Sequence, residues 1–206
     1  MSHDKVFDPD GDVTLILPGN LDEFGIPIES MGGKSQKSNV RMIVSSKHLT
    51  LASEVFKAML SSNFQEGITL RSVGSVTFNL PDDEPIAFEI LMNMVHGKFR
   101  LVPAKVTLAN VTSLAVLVDK YRLQEVAEVM TKRWLEQHEA WDDFCKKSEL
   151  TNDHLCYMKI FSVFEREDAL QEIMMRIGLI AKNAAFQDNF GKEFYEILPV
   201  SVKAIH

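Results

Sequence analysis

Cysteine is scarce in this chain, because Cys145 and Cys156 are the only two among 206 residues. So few thiols do not suggest a disulfide scaffold and indicate a reducing compartment, so we expect a cytoplasmic or nuclear location. Long apolar runs are also lacking, since no window of about eighteen residues is apolar throughout. The chain does not begin with a basic segment followed by an apolar one. The sequence therefore predicts neither a transmembrane helix nor a secretory signal.

Basic charge is in deficit as well. The chain has 22 lysines and arginines against 29 aspartates and glutamates, a formal net charge of -7. An acidic balance disfavours electrostatic binding to nucleic acid or to an anionic membrane, so we expect neither partner. The hydrophobic fraction of 46% and the charged fraction of 25% are typical of a globular protein with a buried core.

The common motifs of catalysis and metal binding are missing too. There is no G-x-S-x-G turn for a nucleophilic serine. The segment Gly32-Gly33-Lys34-Ser35 resembles a phosphate-binding loop only faintly, because it lacks the earlier glycine and does not directly follow a strand. The pair His154 and Cys156 lacks the paired spacing of zinc ligands. We therefore expect no catalytic residues, no cofactor and no metal, and the sequence does not predict an enzyme.

The segments with clear periodicity predict an α+β fold. Three strands are expected from β-branched or alternating apolar residues, at Val13–Leu17, Arg41–Val44 and Ser75–Leu80. Helices are expected from apolar residues at helical spacing and from capping residues, at Ile86–His96, Thr107–Tyr121 and Gln124–His138. Strands followed by helices imply helices packed against one small sheet.

The run Arg41–Gly67 is the most informative part of the chain. It reads as a strand, a short pair of helices with a serine cap at Ser53, and an exposed loop holding Phe64-Gln65-Glu66. Nothing in the run is typical of catalysis. It therefore predicts a packing element that presents a small surface to a partner.

The rest of the chain divides by composition. Residues 1–11 are polar, and we expect a flexible N-terminus. Residues 18–39 form a long glycine- and serine-containing connector, which we interpret as a surface loop; a partner-binding insertion is the alternative. Residues 139–206 show three apolar sets at helical spacing, so we expect a helical C-terminal extension after a domain at 12–138.

Several motifs together resemble the BTB/POZ domain, over roughly two thirds of the chain. They are Asp12-Val13-Thr14-Leu15, the strand ending Val44-Ser45-Ser46, Leu-x-x-Ala-Ser-x-Val-Phe-x-x-Met-Leu from Leu49, Pro85-x-x-Phe88-x-x-Leu91 with Gly97, and Ala115-x-x-x-Asp119-Lys120-Tyr121-x-Leu123. The order and spacing of these pieces carry the resemblance. The stretches SSKHLTLAS and VHGK and the long early insertion look most similar to those of BTB-domain proteins of filamentous fungi.

The resemblance implies a fold and a function. The family fold is a helical cluster flanked by a small, mostly three-stranded sheet, here followed by the helical extension. The family function is protein–protein association, and many members act as substrate adaptors of a cullin ubiquitin ligase. The alternative is a homo- or hetero-oligomerising scaffold, in a nuclear or cytoplasmic assembly, with no ligase role.

The resemblance also implies a contact surface. Cullin-recruiting members carry a hydrophobic-x-Glu triplet after the helix that here ends Met59-Leu60, and Phe64-Gln65-Glu66 stands at that place. An exposed aromatic side chain can anchor in a partner's pocket, and a neighbouring carboxylate can accept hydrogen bonds from its rim. We therefore expect Met59, Phe64 and Glu66 to face a cullin. The alternative is that Phe64 folds back onto the core and Glu66 is merely solvated.

Overall fold

The structure is a computed structural model that describes residues 4–19, 39–137 and 151–183. These residues form eight α-helices and one four-stranded sheet, so the predicted α+β class is confirmed for them. The chain divides into two compact units, which are Met1–Ala104 with Leu117–Val129, and Lys105–Val116 with Met130–His206. The boundary that we expected at residue 138 lies outside the described residues and stays a prediction.

The sheet lies in the first unit and has the strand order β1-β3-β2-β4. Its strands are β1 (Asp4–Val6), β2 (Val13–Leu17), β3 (Val40–Val44) and β4 (Val76–Asn79). The central strand β2 runs antiparallel to β3 and parallel to β4. Alternate residues of β2 are fully buried, as the period of a strand requires. The sheet therefore lays one apolar face against the helices of this unit.

Strand β1 corrects two expectations. Residues 1–11 were expected to be flexible, and three strands were expected, but Asp4–Val6 pairs in parallel with β3 as a fourth strand. Lys5 also forms an ion pair with Glu89, and Phe7 is buried. A polar strand with both end residues exposed has no hydrophobic alternation, so its partners elsewhere in the chain hold it and its own sequence gives no signal.

Four helices and a short 3₁₀ turn complete most of the first unit. They are α1 (Ser46–Ala52), α2 (Glu54–Met59), α3 (Gln65–Val73), α4 (Pro85–Val95) and the turn Phe99–Leu101. Helix α4 begins as its sequence predicts, because both carboxylate oxygens of Glu84 accept from N–H groups of its first turn and Pro85 opens it. Gly97, with φ of 68°, follows its end.

Helix α3 corrects a further expectation. The triplet Phe64-Gln65-Glu66 was expected in an exposed loop, but Phe64 is the residue that caps α3, and Gln65 and Glu66 form its first turn. Glycine and β-branched residues within the helix lower its intrinsic propensity, so the local sequence does not predict it. Gly74, with φ of 84°, ends the helix.

The helices after residue 104 are α5 (Leu108–Tyr121), α6 (Gln124–Gln137), α7 (Asn152–Val163) and α8 (Glu167–Asn183). In the second unit, α7 and α8 pack side by side and bury Ile160, Phe161, Ile173 and Ile177, four of the residues in the predicted apolar sets. The third set, Phe186 to Leu198, lies outside the described residues. So does nearly all of the expected surface loop at 18–39.

Candidate protein-binding surface

Ser53 fixes the start of α2, the helix that leads to the expected contact residues. Its hydroxyl accepts a hydrogen bond from the Phe56 N–H at 3.0 Å and donates one to the backbone carbonyl of Tyr121 at 2.5 Å. Ser53 is buried, so both bonds are protected from water. The serine therefore caps α2 and ties it to the end of α5.

A buried carboxylate holds the residue to which Ser53 is tied. Asp83 is 2% exposed, and its two oxygens accept from the Tyr121 hydroxyl at 2.5 Å and from Lys120 Nζ at 2.6 Å. The Tyr121 ring stacks on Phe56 with centroids 4.6 Å apart and meets Phe88 edge-on. Burial, the hydrogen bond to Asp83 and its charge all raise the pKa of Tyr121 above its ordinary value, so the phenol stays a donor.

A tight turn joins α2 to α3, and its backbone leaves no room for a side chain at position 67. The Ser61 N–H donates to the Ala58 carbonyl at 3.0 Å, and the Phe64 N–H donates to the Ser61 carbonyl at 3.3 Å. A Cβ on Gly67 would lie 1.9 Å from that Ser61 carbonyl oxygen. Backbone thus packs directly against backbone, and the first turn of α3 is fixed against the end of α2.

The apolar side chains at the start of α3 face solvent. Phe64 is 50% exposed, so it does not fold back onto the core, and Ile68, one helical turn later, is 48% exposed. An aromatic and a β-branched side chain this open leave apolar surface at the start of α3 for a partner to cover. We use the name α3 surface for the side chains around this turn, Met59, Phe64, Glu66 and Ile68, which lie on more than one side of the helix.

The structure places the three expected contact residues around one turn but in different settings. Met59 is the last residue of α2 and is half-buried, whereas Phe64 is exposed at the start of α3. Glu66 is half-buried, and its carboxylate accepts no hydrogen bond and forms no ion pair within the described ranges. Since residues two apart in a helix point about 200° from each other, Glu66 and Ile68 lie on different sides of α3.

Ile68 was not among the residues expected from the sequence. Its signal was the i, i+4 spacing from Phe64, which is meaningful only on a helix. In a loop, which the sequence predicts for this segment, residues at that spacing do not share a face.

Of the residues with possible metal-binding or phosphate-binding chemistry, the segment Gly32–Ser35 lies outside the described residues, whereas His154 and Cys156 lie in α7. His154 accepts the Thr151 N–H at 3.2 Å on its Nδ1, at the start of α7. His and Cys side chains of the described ranges, together with their Asp and Glu side chains, nowhere gather in threes as metal ligands. None of the helices built from these ranges is both long and apolar enough to span a membrane.

Comparison of the chain with models of protein families gave no match, and a search of curated proteins found no similar sequence.

Proposed function

We propose that this chain is a protein–protein interaction module of the BTB/POZ type that binds a cullin through the α3 surface and serves as a substrate adaptor of a ubiquitin ligase. The observation that carries the proposal is the exposure of Phe64 on a rigid turn. A side chain that is half exposed and already positioned loses little entropy when it enters a pocket on a partner. Aromatic anchors of this kind contribute much of the binding energy of an interface.

The residues behind the resemblance support the same proposal through their roles in the fold. Asp12 accepts from the N–H and hydroxyl of Ser46 at 2.7 and 2.6 Å, at the start of α1. Lys120 and Tyr121 hold the buried Asp83, and Phe88 packs on the tyrosine ring. The quoted motifs therefore include residues that fix the start of α1 and the contact between α4 and the end of α5.

Two substitutions test the cullin contact. We expect Phe64→Ala to weaken binding to a purified cullin N-terminal domain by about 2 kcal/mol, roughly thirtyfold in Kd, because it removes the anchor. Glu66→Ala removes a charged acceptor, and we expect a loss of about 1.5 kcal/mol, roughly tenfold. Isothermal titration calorimetry measures both values. Thermal melting should show neither variant to be destabilised, since both side chains remain accessible to solvent.

Phe99→Ala is the matched control, because Phe99 is 55% exposed, close to the 50% of Phe64, and lies outside the α3 surface. It should bind as tightly as the wild type. Equal affinity of all three variants and the wild type would refute the contact at the α3 surface.

A second candidate function, self-association, rests on a different observation. Leu51 in α1 is 88% exposed, the largest fraction among the exposed large apolar side chains of the described residues. If copies of the chain associate through α1, sedimentation velocity should show a fraction of dimer that rises with protein concentration. Leu51→Asp should leave only monomer, because burying an unpaired charge in the interface is costly. A monomer at all concentrations, or a dimer that Leu51→Asp leaves intact, would exclude this function for α1.

A further inference from the structure

His96 lies where the N-terminal segment meets the ends of two helices. It caps the C-terminal end of α4, and its Nδ1 is 2.9 Å from the Met92 carbonyl oxygen. Its Nε2 is 3.1 Å from the Ser45 backbone nitrogen, just before α1. Because the Ser45 N–H can only donate, Nε2 must accept, and Nδ1 then carries the proton and donates to the carbonyl. The hydrogen bonds thus define a neutral imidazole with one tautomer.

The ring of His96 also supports the N-terminal segment. Its centroid is 5.8 Å from that of Phe7, whose N–H donates to the Ile43 carbonyl at 2.8 Å and continues the pairing of β1 with β3. Lys98 donates to the Val6 carbonyl at 3.2 Å and lies over the Phe7 ring. The segment Asp4–Asp12 is therefore attached beside a histidine that must be neutral.

The groups around His96 mostly disfavour a positive charge on its ring. His48 of α1 stacks on it with centroids 4.9 Å apart, the positive Lys98 also disfavours a charge on the ring, and Asp8 is the carboxylate that opposes them. Burial lowers the pKa of His96 below its ordinary value, with a further decrease from His48 and Lys98; the Met92 carbonyl and Asp8 act in the opposite direction. Asp12, the other carboxylate at this end of α1, already accepts hydrogen bonds from the N–H and the hydroxyl of Ser46.

The geometry points to a pH-sensitive attachment of the N-terminal segment: protonation of His96 removes the acceptor of the Ser45 N–H and loosens Asp4–Asp12 and the start of α1. Once Nε2 carries a proton, two donors face each other and the bond to Ser45 is lost. The new charge also meets His48 and Lys98. Since β1 is the edge strand, its loosening uncovers the edge of β3 and leaves the other three strands paired.

The direction of the pH dependence follows from linkage. A histidine whose folded-state pKa is lowered binds fewer protons in the folded state than in the unfolded state as the pH falls below 6.5, the ordinary pKa of histidine. The stability that it contributes is fully present above that value. It is lost as the pH falls from there through the lower folded-state pKa, so the attachment should be tight at neutral pH and loosen in mild acid.

Amide hydrogen exchange of the full chain, measured by NMR at about pH 7.5 and about pH 5.5, tests this device in the range where histidine titrates. After correction for the intrinsic exchange rate, the protection of the Ser45 and Phe7 amides should fall by about tenfold or more in acid. The Leu80 amide, which donates to the Ile16 carbonyl in the sheet, should keep its protection and serves as the internal control.

His96→Gln supplies the matched variant, because a glutamine side chain offers an acceptor that does not titrate. Protection of Ser45 in this variant should be independent of pH, and the same acid loss as in the wild type would overturn the proposal. If the variant does not fold, the wild type decides the question through its own titration. Loss of Ser45 protection that follows the ¹⁵N titration of His96 supports the device, whereas protection that persists while His96 titrates overturns it.

Discussion

Tyr121→Ala should lower the free energy of unfolding by about 4 kcal/mol, within the range measured when a buried aromatic side chain is truncated to alanine. Tyr121 is 2% exposed, so the substitution leaves a cavity between Phe56 and Phe88. It also removes the hydroxyl that donates to Asp83, whose carboxylate stays buried with Lys120 as its other donor. Urea denaturation of the wild type and the variant measures the loss.

Tyr121→Phe separates packing from hydrogen bonding in this prediction. The ring and its stacking remain, and only the donor to Asp83 is lost, so we expect a decrease of about 1–3 kcal/mol. The order of stability should therefore be wild type, then Tyr121→Phe, then Tyr121→Ala. A Tyr121→Ala variant as stable as Tyr121→Phe would show that the ring is not packed as the structure places it.

Gly67→Val should destabilise the first unit by about 3 kcal/mol or more, at the upper end of the usual cost of overpacking. The new Cβ would lie 1.9 Å from the Ser61 carbonyl oxygen and 2.6 Å from that of Leu60. Both atoms belong to the backbone of the turn, so a rotamer change cannot relieve the clash, and α3 must separate from the end of α2. Thermal melting and the circular dichroism spectrum measure the loss.

Gly74 provides the control for Gly67. A Cβ there has no heavy atom within 4 Å, and only its φ of 84° opposes substitution. Gly74→Asn should therefore cost far less, because asparagine tolerates the left-handed conformation better than other residues with a side chain. Equal melting temperatures for Gly67→Val and the wild type would contradict the close packing of α3 on the turn.

The parts of the fold that the sequence predicted are those with strong local signals. Alternation predicted β4, and apolar residues at helical spacing together with capping residues predicted α4. The strand β1 could not be predicted, because its pairing with β3, its ion pair to Glu89 and the burial of Phe7 all depend on distant residues. Long-range contacts of this kind override local propensity.

The same distinction holds for the candidate site. Phe64 was identified from its place in a motif, and the structure places it half exposed; its contact with a partner stays a prediction. The helical setting of the triplet was missed, because close backbone contact at Gly67 stabilises α3 and composition does not reveal it. Asp83 stands in the acidic run Asp82-Asp83-Glu84, and its partners lie 37 and 38 residues later in the chain. No local pattern could indicate that pairing.

The two stability predictions and the binding prediction concern one connected series of contacts, which runs from Asp83 to Phe64. Asp83 holds Tyr121, Tyr121 accepts from Ser53, and Ser53 caps α2. Gly67 then fixes α3 against the end of α2, so the exposed Phe64 is presented on a rigid support. A rigid support matters for binding because a pre-organised anchor avoids the cost of being ordered on association.

Hydrogen–deuterium exchange of the wild-type chain, alone and saturated with a cullin N-terminal domain, tests the proposed contact most directly. Exchange reports the surface that a partner covers without any substitution. Our account predicts slower exchange in the complex for the α2–α3 turn and the first turn of α3, residues 59–68, with no change in Phe99–Leu101. Failure of the wild type to bind, or protection confined to other segments, would contradict it.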